Sequence, residues 1–430
     1  MKLTSKIFVI CLMALSNLKG YSQGCPTSGY PSFYQCSELW LFVTNYPDCH
    51  CLPSTLLLPQ SGFTSLASFP ALAQLDSING NITCDECSLD SLVGLENLTY
   101  VGGSVIINEP HGTLVNLQGL NNLSYIGGSL RIEEAYDLES TNGLDNLDYI
   151  GNNIWLNDNS LVEITGFENI HHLPGELYFN EQDAMLDLSG FDSLITIGSR
   201  VRIWDNTVLS SLEGLNNVEL IGGNLDINHN DSLVQINALD NLNTIGGNLI
   251  LSKNETLDNI ESLSLLMNFN GEIMIYQNTL LTSLDGIENI EADSITNLYL
   301  AECASLSICS QPNICQYLIN SLGPSTINLN NSGCNSVPEI TAACSSIVID
   351  ELTPGEQFLV FPNPSEGIIN IQTDNSIGTS IKIYNTIGEM VFSDDNLKPN
   401  SSIQLHQSPG LYLVVLKTSY STATSKLILK

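Results

Sequence analysis

The chain has 430 residues and a net charge of −34, with twelve lysines and arginines against 46 aspartates and glutamates. This scarcity of cations argues strongly against nucleic-acid binding, because neutralising phosphate requires clusters of lysine and arginine. An anionic membrane surface is a poor partner for the same reason. Because 43% of the residues are hydrophobic and 13% charged, the chain can bury cores and is not a disordered acidic tail. Its length predicts two or three domains.

Residues 1–22 are predicted to form a signal peptide. Two lysines precede a short apolar run at residues 7–15, and small residues stand just before a plausible cleavage point at Gln23. The run is too short to span a bilayer as a helix, and no later stretch is long and apolar enough to do so. The alternatives are a buried N-terminal helix and a lipoprotein acylated at Cys25, although the usual leucine three residues before that cysteine is missing.

Export places the mature chain in an oxidising compartment, where cysteines form disulfides. Eleven cysteines follow residue 22, in two groups separated by a long cysteine-free middle. The disulfide candidates are Cys25, Cys36, Cys49, Cys51, Cys84, Cys87, Cys303, Cys309, Cys315, Cys334 and Cys344. The spacing of Cys84 and Cys87 also suggests zinc, but no second pair stands at a zinc-ribbon interval and no histidine is close. Because eleven is odd, at least one thiol is free or pairs outside the chain.

A unit of about 24 residues repeats between residues 71 and 302. Nine copies begin at residues 94, 119, 143, 166, 190, 214, 238, 262 and 286, after a degenerate copy at residue 71. The second and fifth positions are apolar in all nine copies, and the twelfth and fourteenth in eight; the last copy is shifted by one residue, to Leu298 and Leu300. Two apolar positions separated by one residue predict a strand with one buried face.

Two further positions of the repeat unit predict the corners of each turn. The ninth position is glycine in six of the nine copies, which suits a tight corner with positive φ. The fourth position is asparagine in seven copies, and we expect this side chain to bond the backbone of its own turn and to stack as a ladder. These asparagines are Asn97, Asn122, Asn146, Asn169, Asn217, Asn241 and Asn289.

A strand with one apolar face must stack on a neighbour, so the repeats predict an all-β fold built on a parallel β-solenoid. About ten turns spaced by ~4.8 Å give a length of roughly 45–50 Å. The open ends of such a solenoid need caps. We place the caps at residues 23–70 and 303–350, the cysteine-rich flanks, where disulfides substitute for stacking.

The unit Gly-Leu-x-Asn-Leu-x-x-Ile-Gly-Gly-x-Leu-x-Ile, as at residues 119–132, resembles the repeat of receptor L-domains. The resemblance covers about 230 residues and implies a leucine-rich-repeat-like solenoid. It is weak evidence for function, because solenoids serve many ligands. The chain also has more uninterrupted turns than one receptor L-domain, so a receptor binding mode is not transferred to it.

The thirteenth position of each unit lies between two inward-facing residues, so we expect it to face solvent. Aromatic and basic residues concentrate at this position and two residues to either side of it in the middle turns. They are Arg131, Trp155, Tyr178, Arg200, Arg202 and Trp204. Contiguous exposed tryptophan, tyrosine and arginine side chains are typical of recognition surfaces for a glycan, an acidic polymer or a protein. The alternative is strand propensity, since aromatic residues favour strands anywhere.

No catalytic constellation stands out, and we expect a protein that is not an enzyme and has no cofactor. Residues 23–350 hold 39 acids, but these are spread over the repeat corners without a conspicuous pair for glycoside hydrolysis. The histidines are scattered, and the neighbours His171 and His172 are interpreted as corner residues rather than metal ligands. Loops such as 157–159 and 228–231 offer oxygen ligands for weak Ca²⁺ binding, with turn chemistry as the alternative.

Residues 351–430 differ in composition, with five lysines and seven acids. Short strand-like segments at 381–385 and 409–416 alternate with turn signals such as the Phe-Pro-Asn-Pro-Ser-Glu-Gly sequence at 361–367. Several short strands separated by turns predict a small β-sandwich.

This segment resembles the C-terminal type A sorting domain of the Bacteroidetes type IX secretion system. The residues that carry the match and that the resemblance assigns to the sorting signal are Pro362, Asn363, Pro364, Gly367, Gly388, Gly410, Tyr412 and Lys426. The resemblance implies recognition by the secretion machinery, passage from the periplasm across the outer membrane, and release or attachment at the cell surface. An ordinary accessory β-domain is the alternative.

Together these features predict a secreted or surface-displayed, non-enzymatic binding or adhesion protein whose ligand is an unidentified glycan or protein. A purely structural cell-surface component is the first alternative. A polysaccharide-acting hydrolase or lyase on a β-solenoid is the second.

Overall fold

A computed structural model describes residues 46, 48–58, 60, 65–68, 72–347, 358–373, 380–385, 388–398, 400–417 and 422–430. The predicted signal peptide, Cys25 and Cys36 lie outside the described residues. The chain divides into two compact units, Met1–Cys344 and Ser345–Lys430. No helix among the described residues is long and apolar enough to cross a membrane.

The first unit is a parallel β-solenoid of about 11 turns of about 24 residues each, which confirms the predicted fold. Its main sheet has twelve strands, and neighbouring turns contribute neighbouring parallel strands. In order, these strands are β2 (Leu56–Leu58), β4 (Ile82–Asp85), β6 (Val105–Asn108), β8 (Leu130–Glu133), β10 (Ile154–Asn159), β12 (Leu177–Gln182), β14 (Val201–Trp204), β16 (Leu225–Asn228), β18 (Leu249–Ser252), β20 (Gly271–Tyr276), β21 (Ile295–Ala301) and β22 (Ser325–Asn328). Stacking therefore extends past residues 71–302 into both cysteine-rich flanks.

Two narrower parallel sheets of two-residue strands lie just before the corner that leads into ten of the twelve main strands. The first contains β1 (Cys51–Leu52), β3 (Ser77–Ile78), β5 (Tyr100–Val101), β7 (Tyr125–Ile126) and β9 (Tyr149–Ile150). The second contains β11 (His172–Leu173), β13 (Thr196–Ile197), β15 (Leu220–Ile221), β17 (Thr244–Ile245) and β19 (Asn268–Phe269). Short 3₁₀ helices, among them Asn237–Leu239 and Glu261–Leu265, occupy the remaining side of some turns.

One continuous apolar core runs through the solenoid. In the turn that begins at residue 214, the inward positions are at most 1% exposed to solvent: Leu215, Val218, Ile221, Leu225 and Ile227. Because each turn contributes the same apolar positions, successive turns bury one another's faces, and no turn has a complete core alone.

Glycine at the ninth position is explained by close backbone approach, and the predicted positive φ is wrong there. A Cβ atom on Gly222 would lie 2.3 Å from the carbonyl oxygen of Gly198 in the preceding turn. The positive φ occurs instead at the first position of the unit, as in Gly214, where φ is 107°. Close backbone approach favours glycine at both positions, and positive φ favours it at the first position as well.

The corner asparagines bond the preceding turn and not their own, which corrects the expected partner. Asn217 Nδ2 donates to the carbonyl oxygen of Asp192 at 2.6 Å, and Asn241 Nδ2 donates to that of Asn216 at 2.7 Å. Each such bond crosses from one turn to the next. The asparagine column therefore holds neighbouring turns in register.

A second asparagine ladder lies inside the solenoid. Asn206, Asn230, Asn254 and Asn278 are all fully buried. The backbone N–H of Asn230 donates to Asn254 Oδ1 at 3.0 Å, while Asn254 Nδ2 donates to the carbonyl oxygen of Ile227 at 3.0 Å. Each buried amide therefore serves backbone groups that would otherwise be orphaned at the corner.

The shifted last repeat is absorbed by an irregularity between β20 and β21. Gly271 pairs with Ile295, but Glu272 pairs with Asn297, so Thr296 is an extra residue on the later strand. Leu298 and Leu300 then return to the inward column and are fully buried. One inserted residue would otherwise turn the apolar face of the strand outward.

Disulfides and two helices close the C-terminal end of the solenoid. The helices are α1 (Pro312–Ile319) and α2 (Val337–Ile347). Cys309 bonds Cys334, and Cys315 bonds Cys344. Nearer the start of the solenoid, Cys84 bonds Cys87, so the zinc alternative for this pair is wrong, and Cys49 is also in a disulfide. Cys51 and Cys303 are free thiols among the described residues.

The second unit contains two antiparallel sheets. One contains β23 (Phe358–Phe361), β24 (Ile368–Thr373) and β27 (Ser401–Gln404), and the other β26 (Met390–Asp394), β25 (Ser380–Asn385), β28 (Gly410–Lys417) and β29 (Thr422–Leu429). Their inward residues form one core, with Ile369 and Ile371 from the first sheet and Ile381, Ile383 and Val414 from the second fully buried. This is the predicted sandwich.

Candidate functional site

The six residues predicted to form a recognition face lie together on the outward side of the main sheet. We call them the aromatic–arginine patch: Arg131, Trp155, Tyr178, Arg200, Arg202 and Trp204. In the strand register, Arg131 pairs with Trp155, Trp155 with Tyr178, and Tyr178 with Arg202. The repeat length of about 24 residues brings these side chains together, because it places equivalent positions on adjacent strands.

Tyr178 lies beneath its neighbours in the patch. It is buried, whereas the sequence predicted an exposed side chain. Its exposed fraction is 7%, since bulky neighbours on both sides cover it. The ring centroid of Trp155 lies 4.2 Å away in a tilted contact, and that of Trp204 lies 6.2 Å away at its edge. Burial raises the pKa of the Tyr178 hydroxyl, although Arg202 opposes this effect. The two tryptophans are half-buried, so part of each indole stays open to solvent.

Arg202 is the central cation of the patch. Its guanidinium carbon lies 4.8 Å from the Trp204 ring centroid, 5.1 Å from that of Tyr178 and 5.9 Å from that of Trp155. Its side chain is 14% exposed, so these cation–π contacts are shielded from water and correspondingly stronger. Arg202 is therefore held by three aromatic rings as well as by a carboxylate.

That carboxylate is Glu176, which the sequence analysis missed. Its side chain is 7% exposed, and its Oε1 atom lies 2.8 Å from Arg202 Nε and 2.9 Å from Arg200 Nε. The Arg202 contact is a close approach of charges rather than an aligned hydrogen bond. Glu176 stands two residues before Tyr178 on the same face, at a position that holds Asn153 in the preceding turn. No pattern in the sequence distinguishes Glu176 from the other acids among the 39 in residues 23–350.

Arg131 is also paired with an acid. Its Nε and Nη2 atoms donate to Glu133 Oε1 and Oε2 at 2.7 and 2.8 Å, and this hydrogen bonding raises the pKa of the arginine. Its guanidinium carbon also lies 5.7 Å from the Trp155 ring centroid. Every arginine of the patch thus has a carboxylate partner.

Two polar atoms beside the aromatic rings are buried without a hydrogen-bond partner, Nε1 of Trp155 and Oδ1 of Asn228. The Trp204 side chain instead bonds the Asp226 carboxylate. Asp226 pairs with Arg202 in the strand register, and Asn228 pairs with Trp204. Burial raises the pKa of Asp226, offset in part by Trp204, Arg202 and Arg200. The patch therefore holds one unused donor, on Trp155, and one unused acceptor, on Asn228.

The histidines have separate hydrogen-bond partners rather than a common site. His171 Nδ1 contacts the carbonyl oxygen of Asn169, and His172 Nδ1 contacts Thr196 Oγ1. His229 contacts Asp205 through Nδ1. Within the described residues, no group of three or more histidine, cysteine, aspartate or glutamate side chains is placed to hold a metal ion.

Of the two loops predicted to bind Ca²⁺ weakly, the one at residues 157–159 contains a carboxylate with a protein partner. The Tyr136 hydroxyl donates to Asp158 Oδ2 at 3.0 Å, and this bond raises the pKa of Tyr136 to about 12. Asp158 also adopts a positive φ of 51°, and the residue at the equivalent corner has positive φ in turn after turn. These facts fit the alternative interpretation of the loop as turn chemistry.

A second aromatic array escaped the sequence analysis. Tyr100, Tyr125 and Tyr149 stack on the first narrow sheet, with centroid distances of 4.9 and 4.7 Å and nearly parallel planes. The sequence does contain a signal for this array, because the seventh position is tyrosine in three successive units. Because stacked rings cover one another's faces, this array offers ring edges and hydroxyls rather than an open platform.

In the second unit, the sorting-signal residues connect the start of the sandwich to its last strand. Asn363 Nδ2 donates to the carbonyl oxygen of Lys426 at 2.7 Å, and Asn363 Oδ1 accepts from the N–H of Ile428 at 2.9 Å. Pro362 and Pro364 follow cis peptide bonds. Gly367 and Gly388 adopt positive φ, and buried Tyr412, two residues after Gly410, donates its hydroxyl to the carbonyl oxygen of Ser408. The motif residues are packing and turn residues.

Residues 359–430 match the secretion system C-terminal sorting domain family. This sorting domain indicates export by type IX secretion, to the cell surface or the medium. The match covers about a sixth of the chain and says nothing of the solenoid. No curated protein matches the chain.

Proposed function

We propose that this chain is an exported, non-enzymatic binding protein whose recognition surface is the aromatic–arginine patch. The sorting domain supplies delivery, and the solenoid supplies a rigid scaffold. One observation carries the proposal: Trp155, Tyr178, Arg202 and Trp204 form one contiguous contact network on an outward face. Tryptophan, tyrosine and arginine side chains clustered in this way are typical of binding hot spots.

The rest of the same outward column supports this assignment. At the equivalent position, other turns carry aliphatic side chains such as Ile106, Ile250 and Met274. Tyrosines recur farther along this face, at Tyr276 and Tyr299, as strand propensity alone would allow. The three arginines and the tryptophans Trp155 and Trp204 lie only in the turns of β8 to β14, and this concentration favours a local role.

The test is a screen of the chain, from residue 23 onward, against arrays of glycans and of surface and extracellular proteins. A triple variant with Trp155→Ser, Arg202→Ala and Trp204→Ser is screened in parallel, and its folding is checked by circular dichroism. A ligand bound by the parent chain and lost by the folded variant supports the proposal. A ligand bound equally by both chains refutes the patch as the recognition surface.

The proposal includes the receptor L-domain-like identity of the solenoid and passage through the periplasm and outer membrane. The first is supported by the turn length and the Gly-Leu-x-Asn-Leu pattern, and the second by the sorting domain. In a host with type IX secretion, deletion of residues 359–430 is expected to leave the chain in the periplasm. Appearance of the truncated chain in the medium at the parental level contradicts this route.

A structural cell-surface component is the competing proposal, favoured by the stacked tyrosines and by acids spread over all the repeats. In that case no ligand in the arrays depends on the patch. A hydrolase or lyase is less well supported. Two carboxylates must flank a glycosidic bond, whereas the buried Glu176 is engaged by Arg200 and Arg202.

A further inference from the structure

We infer that the ligand of the aromatic–arginine patch is a neutral, hydroxyl-rich polysaccharide that lies across strands β8 to β16. This inference rests on the proposed function and deepens it by naming the ligand class. Charge, ring exposure, unused hydrogen-bonding groups and length each bear on it.

Charge argues against an anionic ligand. The patch contains three of the four basic residues between positions 23 and 350, but each already has a carboxylate partner. Glu133 pairs with Arg131, while Arg200 and Arg202 share Glu176 and also interact electrostatically with Asp226. The 39 acids of the same region repel a polyanion further. A neutral ligand meets no such penalty.

The half-buried tryptophans suit the apolar faces of sugar rings. Trp155 and Trp204 flank the covered Tyr178 and are fixed by their contacts with it. An indole held by packing loses little conformational freedom when a ligand stacks on it. Sugar rings present C–H groups on their faces, and these groups pack on the electron-rich face of an indole.

The unused polar atoms suit hydroxyl groups. Trp155 Nε1 is an unused donor and Asn228 Oδ1 an unused acceptor, and Asn228 pairs with Trp204 in the strand register, beside the half-buried rings. Such orphaned groups are rare in folded proteins and often have a functional reason. A hydroxyl group both donates and accepts, so a polyol that shifts the neighbouring side chains can serve both kinds of atom.

The layout suits an extended chain. Arg131, Trp155, Tyr178, Arg202 and Asp226 stand on five adjacent strands, four steps of ~4.8 Å or roughly 19 Å in all. They lie on the open outward face of a sheet rather than in an enclosed pocket. Small ligands are bound in concave sites, so a polymer with several sugar units in contact fits this surface better.

The test is affinity electrophoresis and calorimetry of the chain, from residue 23 onward, with neutral polysaccharides (β-glucan, xylan and mannan) and anionic ones (alginate and polygalacturonate). We expect binding to at least one neutral polymer, with an affinity that is unchanged between low and high salt. Trp155→Ala and Trp204→Ala are each expected to weaken binding roughly tenfold. Trp155→Phe and Trp204→Phe, which keep a ring, should lose less.

The matched control is Tyr276→Ala combined with Tyr299→Ala. These tyrosines form an edge-to-face pair on the same outward face, on β20 and β21. We expect their removal to leave binding unchanged. Melting temperatures of all variants separate lost binding from lost folding.

The possible failures are distinguishable. Salt-sensitive binding to anionic polymers alone overturns the neutral-glycan inference, while loss of that binding in the tryptophan variants preserves the proposed function. If the chain binds a protein through Trp155 and Trp204 and binds no polysaccharide, the neutral-glycan inference is overturned and the proposed function is preserved. Neutral-polymer binding that both tryptophan variants retain overturns the inference and the proposed recognition surface together.

Discussion

Arg202 Nε lies 2.8 Å from Glu176 Oε1 on the outward face of the solenoid, with the two side chains 14% and 7% exposed. An ion pair shielded to this extent is unusual on the surface of an acidic protein. The carboxylate fixes one end of the guanidinium, and three aromatic rings surround it. This one relationship sets the position of every bulky side chain in the patch, because Trp155, Tyr178 and Trp204 all contact Arg202.

Glu176→Gln is expected to destabilise the solenoid by about 3 kcal/mol, because it leaves the guanidinium of Arg202 shielded and without its countercharge. The measurement is the free energy of unfolding in urea. The matched control is Glu133→Gln, whose partner Arg131 is 52% exposed, so a loss of at most about 1 kcal/mol is expected. Equal losses in the two variants would show that Glu176 has no special role.

The buried asparagine ladder predicts a large effect from one amide. Asn254→Ala removes the acceptor of the Asn230 N–H and the donor to the carbonyl oxygen of Ile227. Two buried orphaned groups at about 1–3 kcal/mol each give a loss of about 2–6 kcal/mol. Asn241→Ala removes an exposed corner bond instead and should cost less than about 1.5 kcal/mol. Urea unfolding of both variants compares the two ladders, and the reverse order of losses contradicts the assignment.

Asp226 predicts a pH dependence of stability. Burial raises its pKa above the ordinary value of 3.8, so the folded state favours the protonated form. The stability that this contributes is fully present below the unfolded-state pKa and is lost as the pH rises through the folded-state pKa. Asp226→Asn should therefore raise the free energy of unfolding at neutral pH by less than about 1 kcal/mol, because the group is partly exposed, and the melting temperature should rise with it. The gain should vanish near pH 3, and a lower melting temperature at pH 7 refutes this prediction.

The disulfides are expected to differ in their contributions. The Cys309–Cys334 bond spans 25 residues and the Cys84–Cys87 bond spans three. In the chain-entropy model, the long loop contributes about 3.5 kcal/mol and the short loop about 2 kcal/mol. Replacing each pair by serine and measuring urea unfolding tests the order. A larger loss of stability on removing the Cys84–Cys87 bond would show that loop closure is not the main source of the stabilisation.

Much of the fold could be predicted because a solenoid depends on local, repeated information. Apolar residues two apart specify a strand, and a constant repeat length specifies which strands are neighbours. The adjacency of Arg131, Trp155, Tyr178 and Arg202 follows from those two facts alone. The C-terminal sandwich was predictable because its turn signals, as at Asn363 and Gly367, are dense and ordered.

The remaining features depend on side-chain packing, which periodicity does not contain. Tyr178 occupies an outward position, yet it is covered because its neighbours Trp155 and Trp204 are large enough to reach over it. Glu176 is one acid among many, and only the converging arginines reveal its role. The buried ladder that includes Asn230 did repeat every 24 residues, but it stands just beyond the fourteen positions that define the unit.

Tryptophan fluorescence tests the recognition surface most directly, because two of the three tryptophans, Trp155 and Trp204, belong to it. The third, Trp40, lies outside the described residues and is replaced by phenylalanine. The chain is then titrated with the ligand found by the array screen, and binding is followed in parallel by calorimetry. The proposed surface predicts a saturating shift in tryptophan emission with the same half-saturation as binding. Calorimetric saturation without any change in tryptophan emission would contradict it.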